Sequence, residues 1–365
     1  MSILSWIILG VLYFYSAVLL YITYLAKKKG EKQAFYNNLI HALILILALI
    51  ISQIIFIGLN LSIIAFIVFP FDYFMIGFII LFFPIFYLLI RKEKKKISKT
   101  MRNGKEQIDT QTKQMLPLKY EIYRKLTHLV VLTIVFFYFT LGFIIQNVFI
   151  RLIEFLPEDS NIRQLFFSIF TIEGDIMIFT QYLVVFLVGI SLIGLLTADI
   201  VRILFPKIYP LKPVNRILRE KELYMRVGPQ ISMAIGCFSV IILYGLFQPI
   251  GPLIICTSMT MAIFADMTAN LFGRTLGKNK RRIRDTKKTY IGLVSGMITA
   301  YLSGIIMLIL LNNIYPVSLI GLFLLPLVGS IIIGTLDYLD LVVDDNLTYN
   351  ISVTTALFYL GIFII

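Results

Sequence analysis

The stretch PLIICTSMTMAIFADMTANLFGRTLGKNKRRIRDTKKTYIGLVSGMITAYLSGIIMLILLN, residues 252–312, decides the fold. Its two apolar runs, 252–273 and 290–312, each have the roughly 20 residues that a helix needs to cross a bilayer core about 30 Å thick. Between them lies the basic segment 273–288. Working outward, the same alternation fills the chain. Runs of this kind fall at 3–25, 39–66, 72–90, 124–148, 176–197, 229–249, 252–273, 290–312, 316–336 and 347–365. With 59% hydrophobic residues, 30 Phe and 20 Tyr in 365 positions, the chain has more apolar surface than one soluble core could hide. No short alternating segments of the β-barrel type occur. The expected fold is all-α, a polytopic membrane helical bundle of about ten transmembrane helices. The first run has no basic segment before it and no small-residue cleavage site after it, so it is expected to remain as a helix.

The net charge of +13 sits in a few short loops: 27–32, 91–105, 202–221 and 273–288. Positive-inside bias places such loops in the cytoplasm, and the ten-run reading separates each from the next by an even number of crossings. The loops near 154–164, 247–251 and 311–316, poor in Lys and Arg, fall outside with both termini. Basic loops at a membrane surface meet anionic lipid headgroups. They lack the aromatic interleaving of a nucleic-acid groove, and no nucleic-acid partner is expected. Cys237 and Cys256 lie inside apolar runs without metal-ligand spacing and read as ordinary buried residues.

Polar residues gather at the cytoplasmic ends of the helices. KYEIYRKLTH puts Glu121, Arg124, Lys125 and His128 on one helical face. Asp199 and Arg202 are three apart where the fifth run leaves the membrane, spacing that an interfacial ion pair would explain. Glu222 follows in the next loop, where it reads most simply as a solvated acid among basic neighbours. Asp266 is costlier, because it lies seven residues before Gly273, about 10 Å inside its helix. Asn270, Gly273 and Gly277 continue that face, and glycines permit either a close helix contact or close approach of a ligand to the backbone. In DYLDLVVDDNLTYN, Asp337, Asp340, Asp344, Asp345 and Asn346 are more acids than helix capping requires. Two Asn-X-Ser/Thr triplets in this segment lie on the wrong side for glycosylation.

These sites converge on one membrane face by a topology argument that never used them. Several carboxylates beside an Asn suit magnesium, which commonly sits between one or two carboxylates and substrate phosphates. The basic loop and the Arg124-Lys125 pair suit a polyphosphate, and His128 or a spare Asp could take a proton from an alcohol. The expected chemistry is phosphoryl or nucleotidyl transfer at the membrane surface, with the lipid arriving from the bilayer.

EIYRKLTH resembles the E-x-x-R-K-x-x-H signature of the CTP-dependent lipid kinases, which include the dolichol, phytol and CTP-dependent diacylglycerol kinases. ADMTANLFGRTLGKNKRRIRDTKKTYIG is similar to their D-x-x-A-x-x-x-G-x-x-x-G … K-K-T-x-E-G segment, and VVDDNLT to the D-D-N-L-T near their C-termini. The resemblance covers residues 120–365. It implies a CTP-binding role for Asp266, Gly273, Gly277, Lys278, Lys287, Lys288, Thr289 and Gly292, with Asp199-Arg202, Glu222 and Asp337 standing where relatives carry similar groups. The chain departs from the pattern at Ala265 (Gly in relatives), Ile291 (Glu) and Asn350 (Pro). On this reading residues 1–90 are accessory membrane helices, 91–119 a basic cytoplasmic linker and 120–365 the catalytic membrane domain. CTP would phosphorylate an isoprenoid alcohol such as dolichol, with magnesium held by Asp266, Asp344 and Asp345, phosphates met by Arg124, Lys278, Lys287 and Lys288, and His128 acting on the alcohol. Diacylglycerol or phytol as acceptor, a CDP-lipid-forming cytidylyltransferase, and a lipid transporter or scramblase are the alternatives. The K-D … H-G-G … D-R-D run of the cytidylyltransferases is absent.

Overall fold

The computed structural model describes residues 3–58, 67–102, 118–170, 176–277, 282–284, 286 and 288–364. Helices α1 (Ile3–Lys28) and α2 (Lys32–Gly58) form a hairpin. It turns at Gly30, whose φ of 76° suits a residue without Cβ. Then follow α3 (Phe71–Arg102), α4 (Leu118–Leu129), α5 (Thr133–Phe139), α6 (Leu141–Glu154), α7 (Asn161–Ile169) and α8 (Ile176–Leu204). Two 3-10 turns, Pro206–Ile208 and Lys212–Ile217, lead to the one-turn α9 (Glu220–Leu223). The chain continues through α10 (Pro229–Tyr244), α11 (Ile250–Thr275), α12 (Tyr290–Leu311), α13 (Leu319–Leu339) and α14 (Asp345–Ile364). No β-strand occurs among the described residues; Arg282 and Thr289 form an isolated bridge. The protein is an all-α helical bundle of the multi-pass membrane type.

Eight of the described helices are long and apolar enough to cross a membrane, or nine if the bent pair 130–139 and 141–154 is one span. Two of the ten expected runs are not among those eight. The run at 229–249 yields the 16-residue α10, roughly 24 Å long and shorter than the eight, which runs from Ser232 beside His41 at the polar end to Tyr244 beside Thr355 of α14. Its apolarity has another cause: nearly every residue from Ile231 to Tyr244 is buried, because α10 is the central post packed by α2, α8, α11 and α14. The run at 124–148 breaks at Thr140, whose φ of −139° and ψ of −76° leave the helical region, and α6 departs at 53°. The basic segment expected as a linker is helical at its start, since α3 runs on to Arg102 through lysines and other good helix formers. Residues 103–117 of that segment, and 59–66 of the second run, lie outside the described residues.

One continuous apolar core runs from Ile8 in α1 to Phe358 in α14, so the first helices share it with the rest. Facing outward, α12 exposes Leu302, Ile306, Ile309 and Leu310, and α13 exposes Ile320, Phe323, Leu327 and Ile331. Stripes of that spacing are what lipid tails would cover. A second small cluster of Ile22, Ala26, Ala34, Ile203 and Met225 seats the α1–α2 turn against the end of α8. That contact lies at the end of the bundle where the polar residues collect.

Candidate active site

The site is assembled where α8 and α11 end and α14 begins, with α4 packed against α10 and α11. Arg202, one turn after Asp199, donates from Nε to the Asp199 carboxylate at 2.6 Å, from Nη1 to the Glu222 carbonyl at 2.7 Å and from Nη2 to the Arg226 carbonyl at 2.8 Å. Asp199 also accepts from the Gly228 amide at 3.0 Å. The pair is therefore a strut that holds the 222–228 segment. Glu222 is not the solvated acid its neighbours suggested. It is 1% exposed, accepts from the Arg219 amide at 2.9 Å and meets Arg124 Nη1 at 3.3 Å. The physical reason is that α9 turns its third residue inward, where Arg124, midway along α4, neutralises it.

One turn after Arg124, His128 lies opposite Asp266. The histidine is 2% exposed and neither ring nitrogen has a hydrogen-bond partner; Nδ1 stands 3.5 Å from Asp266 Oδ2, beyond good hydrogen-bond length. Asp266 is buried at 7% exposure, in keeping with the cost read from its place in the helix. Its other oxygen accepts from Asn270 Nδ2 at 2.8 Å. The i, i+4 spacing of Asp266 and Asn270 thus fixes the carboxylate and leaves one oxygen turned to the histidine.

Across from this pair lies the acidic segment. Asp340 ends α13 in the left-handed conformation, with φ 46°. Asp344 then heads α14, its Oδ1 accepting from the Asn346 amide at 3.1 Å and from Asn346 Nδ2 at 2.7 Å. Burial alone would raise the Asp344 carboxyl, but nearby Arg226, Arg124 and His41 and the Asn346 amide together hold it below its ordinary value. Lys288 reaches into the same segment. Its Nζ stands 2.9 Å from Asp337, 3.1 Å from Asp340 and 3.1 Å from Asp345. Burial acts to lower its pKa, and the three carboxylates outweigh burial and raise it. The lysine expected to meet phosphate is thus engaged by carboxylates here. Asp337 also accepts from the Tyr349 hydroxyl at 3.1 Å, and Asp345 lies within Coulomb reach of Lys288, Asp344, Asp337 and Asp266.

The glycines have a definite steric task. A Cβ on Gly292 would come 2.7 Å from the Ala269 carbonyl, and one on Gly277 would come 2.6 Å from Thr289 Oγ1. Gly273 faces the same threonine, so these glycines let α11 and α12 close on each other. Thr289 caps α12, its Oγ1 accepting from the Gly292 amide at 3.2 Å. Lys278 and Lys287 lie outside the described residues. Glu121 and Lys125 are on α4, and their side chains are outside the description. Asn346 and Asn350 are buried, so neither triplet is open to a glycosylating enzyme.

Sequence reasoning missed Arg226, Asn37, Asn38, His41 and Tyr349. Arg226 donates from Nη2 to the Val342 carbonyl at 2.9 Å and so ties the 222–228 segment to the acidic one. The signal for the α2 residues was present in YNNLIH, three polar groups opening an apolar run.

No family model, no curated protein and no solved structure matches the chain. Among the described residues no three His, Cys, Asp or Glu side chains converge as a preformed metal-ligand set. Asp344 and Asp345 supply adjacent oxygen donors, of which Asp345 is engaged by Lys288. The arrangement offers buried cations, carboxylates and one unpartnered imidazole, the parts needed to bind a polyanion and move a proton.

Proposed function

We propose that this end of the bundle binds CTP with magnesium and transfers the terminal phosphoryl group to the hydroxyl of an isoprenoid alcohol, giving CDP and a polyprenyl phosphate. The observation that carries the proposal is His128: a buried imidazole with two unpartnered nitrogens, facing a carboxylate fixed by Asn270. A buried polar group without a partner is costly, and a bound hydroxyl would supply one. The resemblance of EIYRKLTH, the Asp266–Gly292 segment and VVDDNLT to the CTP-dependent lipid kinases supports the same reading.

In this proposal His128 accepts the alcohol proton as the oxygen forms its bond to the γ-phosphorus. The bond from that phosphorus to the bridging oxygen breaks, and its electron pair leaves with CDP. Asp266 stabilises the imidazolium formed at His128. Arg124, held by Glu222, faces the growing negative charge. Asp344 and Asp345, with Asp266, are the groups that would hold magnesium, which when bound spreads the charge of the phosphate oxygens. The lipid-facing helices leave the hydroxyl at the membrane surface, where the charged end of the bundle begins.

Purified protein incubated with CTP labelled at the γ- or the α-phosphate, and with a panel of polyprenol, phytol and diacylglycerol, tests the proposal. Lipid labelled from the γ position only, with polyprenol preferred, is expected. Label from the α position with pyrophosphate released would identify a cytidylyltransferase instead. His128→Gln should lower kcat by about 10²- to 10⁴-fold. Full activity in both His128→Gln and Asp266→Asn would remove the site assignment.

A further inference from the structure

The N-terminal hairpin was expected to be accessory, yet three side chains of α2 enter the polar end of the bundle. Asn37, Asn38 and His41 are each 0% exposed. Buried amides keep their place only when their donors and acceptors are met. Asn38 meets both of its requirements on one short segment, donating to the Met225 carbonyl at 2.7 Å and accepting from the Val227 amide at 3.0 Å. It therefore grips the backbone on either side of Arg226. Asn37 accepts from the Asp344 amide at 3.2 Å. His41 completes the anchorage, with Nδ1 2.6 Å from the Asn37 carbonyl and Nε2 2.7 Å from Ser232 Oγ on α10.

We infer that α2 is a working part of the site, with Asn37 and Asn38 as positioning residues that fix Arg226 and Asp344 relative to each other. Neighbouring asparagines on one helix hold two loops that are far apart in sequence. Arg226 bridges the same loops through the Val342 carbonyl, and its own carbonyl is held by Arg202. Its Nε is buried without a partner, a donor left over for a ligand oxygen. An acid and a guanidinium kept at a set spacing suit a ligand that carries metal and phosphate together, so that α2 sets the separation of the two groups. The placement stands on geometry alone; its chemical consequence rests on the phosphoryl-transfer proposal.

The experiment uses the full chain in detergent, with Asn37→Ala, Asn38→Ala and Asn37→Asp. Amide hydrogen exchange at Val227 and Asp344 reads the placement whatever nucleotide the protein uses. Exchange is expected to quicken about tenfold or more at Asp344 in Asn37→Ala and at Val227 in Asn38→Ala. Asn37→Asp, which keeps the acceptor, should retain slow exchange at Asp344. Turnover of γ-labelled CTP should fall about tenfold in kcat in both alanine variants, each assayed below its own unfolding midpoint in detergent. Unchanged exchange at both amides overturns the placement. Faster exchange with full kcat in an active preparation overturns the positioning role and leaves a purely structural clamp. A wild-type protein that does not turn over CTP counts against the proposed function, and the exchange results then decide the placement by themselves.

Discussion

Arg202→Met removes three charge-assisted bonds of 2.6, 2.7 and 2.8 Å at one stroke and strands the half-buried Asp199 carboxylate, which keeps only the Gly228 amide among the partners described above. Removing one partner of a buried pair costs about 3–5 kcal/mol, mostly because the remaining charge has lost its counter-ion. Bonds from a guanidinium to carbonyls contribute about 1.5–3 kcal/mol each, but groups sharing one network do not add. The expected loss is therefore about 4 kcal/mol. Adding Asp199→Leu removes the stranded charge and should restore about half of it. The molecule carries its own probe for the measurement, since Cys237 and Cys256 are both free and buried and react with a thiol reagent only when the bundle opens. Labelling of the two thiols across a denaturant series in mixed micelles gives the unfolding curve for each variant. A loss below about 1 kcal/mol in Arg202→Met, or a double variant as unstable as the sum of the singles, would refute the view of this pair as a strut.

Gly292→Ala should cost about 1–3 kcal/mol, because its Cβ would meet a backbone carbonyl at 2.7 Å that cannot yield without parting α11 from α12. Gly77→Ala, where nothing lies within 4 Å, is the control and should be neutral or stabilising in the same thiol assay. Asp344→Asn tests the acidic segment through pH. The native carboxyl titrates below its ordinary value, so the stability it lends is present above the unfolded value of about 4 and is lost as pH falls through the native one. The variant should be less stable than wild type at neutral pH, with the gap narrowing in acid. A gap that widened in acid would contradict the electrostatic account.

Much of the architecture was legible because crossing a membrane constrains sequence severely: every span needs about 20 apolar residues, and breaks show as charge. What escaped was local. A run of apolar residues reads alike whether it faces lipid or a protein core, so the nearly complete burial of α10 could not be read from it. The break at Thr140 has no charge or proline to announce it. The site was legible where charge stood out of place, as at Asp266, or where spacing put ions on one face, as at Arg124 and His128. Asn37 and Asn38 were lost because a neutral amide at the start of an apolar run resembles a loop residue. Glu222 was placed beside the site by resemblance alone, because its basic sequence neighbours say nothing about which side chain a one-turn helix points inward.

The bond between Asn37 and the Asp344 amide joins residues 307 positions apart, near the two ends of the chain. A ribosome must therefore deliver α14 before the amides of α2 have their full set of partners. Until then the Asn37 side-chain oxygen lacks the Asp344 amide, while Asn38 and His41 already have their partners at residues 225–232. Biogenesis is thus expected to have a late closing step, in which the last helix docks against α10 and α11 and finishes the polar end at once. Chains stopped short of Asp344 would leave the Asn37 side-chain oxygen unmet at the polar end of the bundle, the kind of defect by which quality-control machinery could tell unfinished copies from complete ones.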